Sequence, residues 1–191
     1  MDLPLEKRTP RYGMLSLVIV CILGGGLGYK IIKDHNEVEA TMNFTVSYPR
    51  PSDGWISLPH GPQTLFLYGN EKKGLLMRGS VNQMISDVNP TPDLDRDNLA
   101  KLMIDNTHDN MRGWTADMMD KVDAKDISFR LVRRSENHHV VLTAFAVKGN
   151  TTALISLSAR NKNADQVDKS TSDFEKFLAT VGFVKADTSK W

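Results

Sequence analysis

The sequence predicts an α+β domain: an antiparallel β-sheet with a helix on each face, an α/β/α sandwich, preceded by one N-terminal transmembrane helix. Three observations predict it. Beyond residue 42 the apolar runs fall in the order four strands, a helix, three or four strands and a closing helix, and their short connections make the strand pairs antiparallel. The run Val140–Val147 is apolar on both faces, so it needs cover on both. Ahead of all this, Met14–Ile32 is an apolar run with no charge between Tyr12 and Tyr29. As a helix that uncharged stretch, from Tyr12 to Tyr29, is about 27 Å long, close to the hydrocarbon thickness of a bilayer.

The chain therefore divides into a cytoplasmic tail (1–12), a transmembrane anchor (13–32), a linker (33–41) and an extracytoplasmic domain (42–191). Tyr12 and Tyr29 stand at the two ends of the run, where amphipathic rings favour the interface, and Lys30 can extend its ammonium group to the headgroups. A cleaved signal peptide is the competing reading, with Gly26-Leu27-Gly28 as its small-x-small site. A lipoprotein signal is rejected, because Val20 precedes Cys21 where a small residue is needed. Lys7, Arg8 and Arg11 precede the run and only Lys30 and Lys33 follow it, which favours a cytoplasmic N-terminus. The expected address is the cytoplasmic (inner) membrane, single-pass, with the C-terminal domain on the periplasmic or extracytoplasmic side. Gly24 and Gly28 form a Gly-x-x-x-Gly pair that can let a partner's membrane helix approach closely; the alternative is a glycine-rich end to a signal segment with no partner.

Within the domain, Phe44, Val46 and Tyr48 alternate on one face of a first strand. The segment 49–54 is a turn by composition, and 55–58 resumes as a short strand stopped by Pro59. The runs 64–68 and 74–81 read as a hairpin joined by residues 69–73. Thr91-Pro92-Asp93 looks like a helix start: a capping Thr, Pro at the first position, then an acid. The helix that follows carries Leu99, Met103, Thr107 and Met111 at spacing four and ends at Gly113. Residues 114–125 are either strand or irregular. Ile127, Phe129 and Leu131 begin a strand, 140–147 is the doubly apolar one, and 152–159 is its partner across Gly149-Asn150. A last helix, 164–180, puts Val167, Phe174, Phe177 and Leu178 on one face, with Gly182 as its C-terminal cap.

Charge excludes one class of function. With 24 basic and 23 acidic side chains, the chain lacks the basic excess expected of a nucleic-acid binder. Cys21, the one cysteine, lies in the apolar run, so the domain has neither disulfide nor thiol nucleophile. His138 and His139 are adjacent on a strand and point to opposite faces, which suits an exposed turn better than a metal. Asp93, Asp95 and Asp97 alternate without the glycine and distal glutamate of a calcium loop, and read as acids at a helix start. No acid, base or nucleophile constellation appears, so no catalytic residue, metal or cofactor is expected. Trp55 is expected in the core, and Met118 and Met119 form the expected apolar contact surface.

An opening strand ending in Tyr-Pro (Phe44 to Pro49), then Gly54-Trp55, and a closing helix of the form Phe-x-x-x-Leu (Phe174 to Leu178) resemble the PsbP-like domains over roughly residues 42–186. That family includes the extrinsic photosystem subunit and exported bacterial envelope proteins similar to DcrB. The resemblance implies that fold and an extracytoplasmic, non-enzymatic accessory role, and it carries over no catalytic residue. The expected function is a membrane-anchored accessory or assembly subunit that binds an integral membrane protein complex. The alternative is a free-standing envelope protein binding a small ligand or lipid between sheet and helix.

Overall fold

The computed structural model describes residues 44–51, 54–83, 92–159 and 164–185. All of them belong to the compact unit Ala40–Trp191. The expected tail, anchor and linker, with Tyr12, Gly24, Gly28, Tyr29 and Lys30, lie outside the described residues. Among the described residues, no helix is long and apolar enough to cross a membrane.

The strands are β1 (Phe44–Ser47), β2 (Ile56–Ser57), β3 (Phe66–Asn70), β4 (Leu75–Gln83), β5 (Thr115–Asp123), β6 (Ser128–Glu136), β7 (His139–Lys148), β8 (Thr151–Ala159) and β9 (Gly182–Lys185). The helices are α1 (Pro92–Asn110), α2 (Ala164–Lys169) and α3 (Thr171–Thr180). Seven strands make one sheet in the order β2-β3-β4-β8-β7-β6-β5, with every neighbouring pair antiparallel; β1 pairs with β9 in a separate two-stranded ribbon. The α+β class expected from the sequence holds. The doubly apolar run is β7, an interior strand buried over nearly its whole length. Its hairpin with β8 turns through Gly149 at φ 56°, the left-handed geometry that a two-residue hairpin turn favours.

Alternation along the strands sorts the side chains between two faces. Leu131, Leu142, Ala144, Ile155 and Leu157 face the side covered by α2 and α3, where Phe174, Phe177 and Leu178 complete the main core. The ribbon adds Val46 and Phe183 to the same core. Val132 and Phe145 face the other side, which α1 covers over β5, β6 and β7 with Ala100, Met103 and Thr107. Phe129, Phe145, Phe174 and Leu178 are all at most 1% exposed. Side chains of this size contribute about 1.5–3 kcal/mol each on full burial.

Three elements differ from the sequence expectation, and a fourth decides between two readings it left open. The closing helix is two pieces, broken at Ser170, whose backbone sits at φ −101°, ψ 4°. Gly182 is not a left-handed cap: the helix ends at Val181 in extended backbone, and Gly182 opens β9, paired with Ser47. That last strand pairs with β1 from the far end of the domain, a contact no local pattern announces. Residues 115–123, left between strand and irregular, are the edge strand β5, whose register slips between Met118 and Lys121. The expected capping Thr91 lies outside the described residues.

Candidate functional site

A groove of about 290 Å³ runs along α3, between that helix and the chain leaving β1. Each wall has a local cause. Pro49 and Pro51 fix two backbone torsions and hold Arg50 on the rim. The Tyr48 hydroxyl, just upstream, donates to the Leu65 carbonyl at 2.9 Å and ties this segment to the entry of β3. Burial, with a smaller push from Tyr68, holds that phenol above its ordinary pKa, so it stays a donor. Trp55 leans half-buried against the core and closes the groove on that side.

The floor is Met77 of β4 and Leu157 of β8, which are paired across the sheet. The opposite wall comes from α3, where Ser170, Asp173, Phe174 and Phe177 recur at helical spacing on one face. Three cations edge the groove. Lys73, in the β3–β4 turn, binds Asp173 at 3.2 Å, and Lys176 lies 3.9 Å from the same carboxylate. Arg50 has no partner among the described residues. Ser170 is 4% exposed, lines the groove, and its hydroxyl makes no capping hydrogen bond. The chemistry on offer is recognition: an apolar, aromatic floor beneath an excess of positive charge and a hydroxyl not spent on capping the helix.

A second cluster is structural. Asp97 accepts from Arg130 Nε at 3.0 Å and Nη2 at 3.1 Å, and from Arg96 Nε at 3.0 Å. Arg96, 2% exposed, also reaches Asp93 at 2.7 Å and the Ser128 hydroxyl. These bonds tie α1 to β6. The Arg130 hydrogen bond foremost, aided by Arg96 against the cost of burial, holds the Asp97 carboxyl down to about 2. Arg134 is the contrasting case. It is 9% exposed, burial lowers its pKa, and its Nη1 donates to the Met111 sulfur at 3.9 Å.

The structure scatters the residues singled out from sequence. Met118 is 38% exposed, but Met119 turns half-buried toward the main core, so the two do not share a surface. Trp55 packs against the core, and Trp114 lies half-buried with its ring 6.2 Å from that of His139. Glu136, Asn137, His138 and His139 frame a polar depression at the tip of the β6–β7 hairpin. Asp93, Asp95 and Asp97 open α1, as expected of acids at a helix start. Among the described residues, no group of three or more His, Cys, Asp or Glu could hold a metal ion.

Sequence reasoning missed Arg50, Lys73, Ser170 and Lys176. They come from three separate segments, and no spacing links them. It also missed Arg96, for which a signal existed: it precedes Ala100, Met103 and Thr107 by four, seven and eleven residues, on the buried stripe.

No family model matches this sequence, and no curated protein matches it. Solved structures do. Cyanobacterial PsbP (CyanoP) of Synechocystis sp. PCC 6803 is similar at 11% identity and TM-score 0.51, over 78% of this chain and 98% of that one. LpqN of Mycobacterium tuberculosis, a protein involved in cell envelope biogenesis, is similar at 10% identity and TM-score 0.54, over 82% of this chain and 96% of that one. The domain has the PsbP-like fold that its Tyr-Pro, Gly-Trp and Phe-x-x-x-Leu landmarks suggested.

Proposed function

We propose that this chain is an extracytoplasmic accessory or assembly subunit, held in the cytoplasmic membrane by residues 13–32 and acting by binding an integral membrane protein complex. One conjunction carries the reading: an uncharged run of bilayer length leads into a domain whose fold extends over nearly the whole of a cyanobacterial PsbP and of a protein involved in cell envelope biogenesis. The basic residues Lys7, Arg8 and Arg11 ahead of the run support a cytoplasmic N-terminus. The reading assigns the domain recognition and no catalysis. Extraction in mild detergent followed by sizing tests it. The full chain should migrate with a larger assembly; migration as a monomer across several detergents would sink the proposal.

A second reading, a free-standing envelope protein binding a small ligand or lipid, is favoured by the groove itself, which joins Trp55 and Phe177 to a cationic rim. Native mass spectrometry of the full chain decides it. A bound lipid or solute in the wild-type protein supports this reading, and bare protein released from native-like membranes refutes it.

A further inference from the structure

The geometry points to the groove along α3 as the docking site for an acidic segment of a partner protein that carries one large apolar anchor side chain. This inference rests on the accessory-subunit reading and names the chemistry of its partner. Charge comes first. Arg50, Lys73 and Lys176 edge the groove against a single acid, Asp173. Asp173 occupies Lys73 at 3.2 Å and leaves Lys176, at 3.9 Å with 76% of its side chain exposed, only loosely engaged. Arg50 is unpaired among the described residues. The rim thus carries positive charge that the described residues do not neutralise, and carboxylates of an incoming segment complement it.

Size comes second. About 290 Å³, open between the Pro49–Pro51 turn and α3, falls at the small end of pockets that enclose a whole ligand. It is too small to bury an acyl chain along its length, and it suits one aromatic or large aliphatic side chain laid on Trp55, Met77 and Phe177. Such a central apolar anchor ringed by polar contacts is how protein interfaces concentrate their affinity. The third observation is Ser170. Its residue is 4% exposed, lines the groove at the start of the ten-residue helix α3, and its hydroxyl makes no capping hydrogen bond. Not spent on capping the helix, that hydroxyl can donate to a carboxylate oxygen or backbone carbonyl of the docked segment.

The test uses the full chain in mild detergent and a random peptide library displayed on phage. Recovered peptides are resynthesised with fluorescein and titrated by anisotropy. Enriched peptides should place Asp or Glu beside one Phe, Trp or Leu. The double change Arg50→Glu, Lys176→Glu, at two exposed side chains, should weaken binding about tenfold or more at low salt and flatten its salt dependence. Asp173→Asn should tighten binding about two- to fivefold by freeing Lys73 and Lys176, a gain that loss of structure cannot mimic. Peptides without acidic bias, or an affinity indifferent to both variants, would overturn the assignment. So would displacement of the peptide by phosphatidylglycerol vesicles whose own binding the double change abolishes, since the groove would then be a lipid site. If the charge variants leave peptide binding unchanged while the chain still migrates with its assembly, the groove assignment fails alone and the accessory role stands.

Discussion

Gly79 stands directly beneath the ring of Phe66. The two are paired across β3 and β4, and a Cβ at position 79 would overlap the ring, with even Cδ1 only 2.8 Å away. The space left by the missing side chain lets the ring lie flat over β4. There it meets Tyr48 at 4.4 Å, Tyr68 at 5.2 Å and, edge-on, Phe177 of α3 at 5.9 Å. One glycine thus sets how closely α3, and with it the groove, sits on the sheet.

Gly79→Ala is expected to destabilise the domain by about 1–3 kcal/mol, the usual cost of overpacking a filled core. This runs against the normal gain from replacing a strand glycine. Gly61→Ala, with nothing within 4 Å of its Cβ, should stay within about 0.5 kcal/mol of wild type. Urea unfolding followed by tryptophan fluorescence checks both. Equal stability of the two variants would mean that Phe66 can move aside freely.

The same positions mark what the sequence could and could not disclose. Period-two alternation and turn residues located β3, β4, β6, β7 and β8, because each buries one or both faces and so carries the pattern in its side chains. The edge strand β5 stayed open between strand and irregular because most of its residues face solvent and its bulge breaks the alternation between Met118 and Lys121. The break at Ser170 lacks glycine and proline, so helical spacing read straight through it. Strand β9 is four residues that pair with β1, more than 130 positions away, and only tertiary packing specifies it. The groove was illegible for the same reason. Its floor residues were recognisable as core, but the convergence of Arg50, Lys73 and Lys176 exists only once the chain is folded.

Asp97 should make stability depend on acid. Its folded pKa, about 2, lies below the ordinary 3.8, so the unfolded chain takes up the proton first. Its contribution is then fully present above about pH 4 and is lost as the pH falls through about 2. The shift corresponds to at most about 2 kcal/mol, less some screening because the carboxylate is 30% exposed. Asp97→Asn should therefore be less stable than wild type at neutral pH, and the gap should close between about pH 4 and pH 2. Urea midpoints measured across that range check it; a constant gap would show that the aspartate acts by shape rather than charge.

Arg134 is a buried cation with no carboxylate partner among the described residues, and its Nε makes no hydrogen bond. Replacing such a group by an apolar side chain of similar reach removes a desolvation cost and keeps the packing. Arg134→Met is expected to be neutral or stabilising by up to about 2 kcal/mol. Arg130→Met should do the opposite. It strips Asp97 of its bidentate partner, at a cost of about 1–3 kcal/mol. Thermal unfolding of the two variants side by side separates these outcomes, and a clear loss of stability in Arg134→Met would mean that the guanidinium is solvated or paired in solution.

The last prediction concerns Gly24 and Gly28, which lie outside the described residues, four positions apart in the uncharged run, a spacing of about one turn in a helix. If that run packs against a partner's membrane helix, the absence of side chains at these two positions sets the closest approach. Changing both to Leu adds bulk at the contact and also raises the apolarity of the run. The two effects separate on different assays. Retention in carbonate-washed membranes should be undiminished, because a more apolar segment partitions at least as well. Migration with a larger assembly in mild detergent should be lost, because the helices can no longer close. A variant that keeps its assembly would place the partner contact on the folded domain alone, and a variant that leaves the membrane would show that the run is not the anchor.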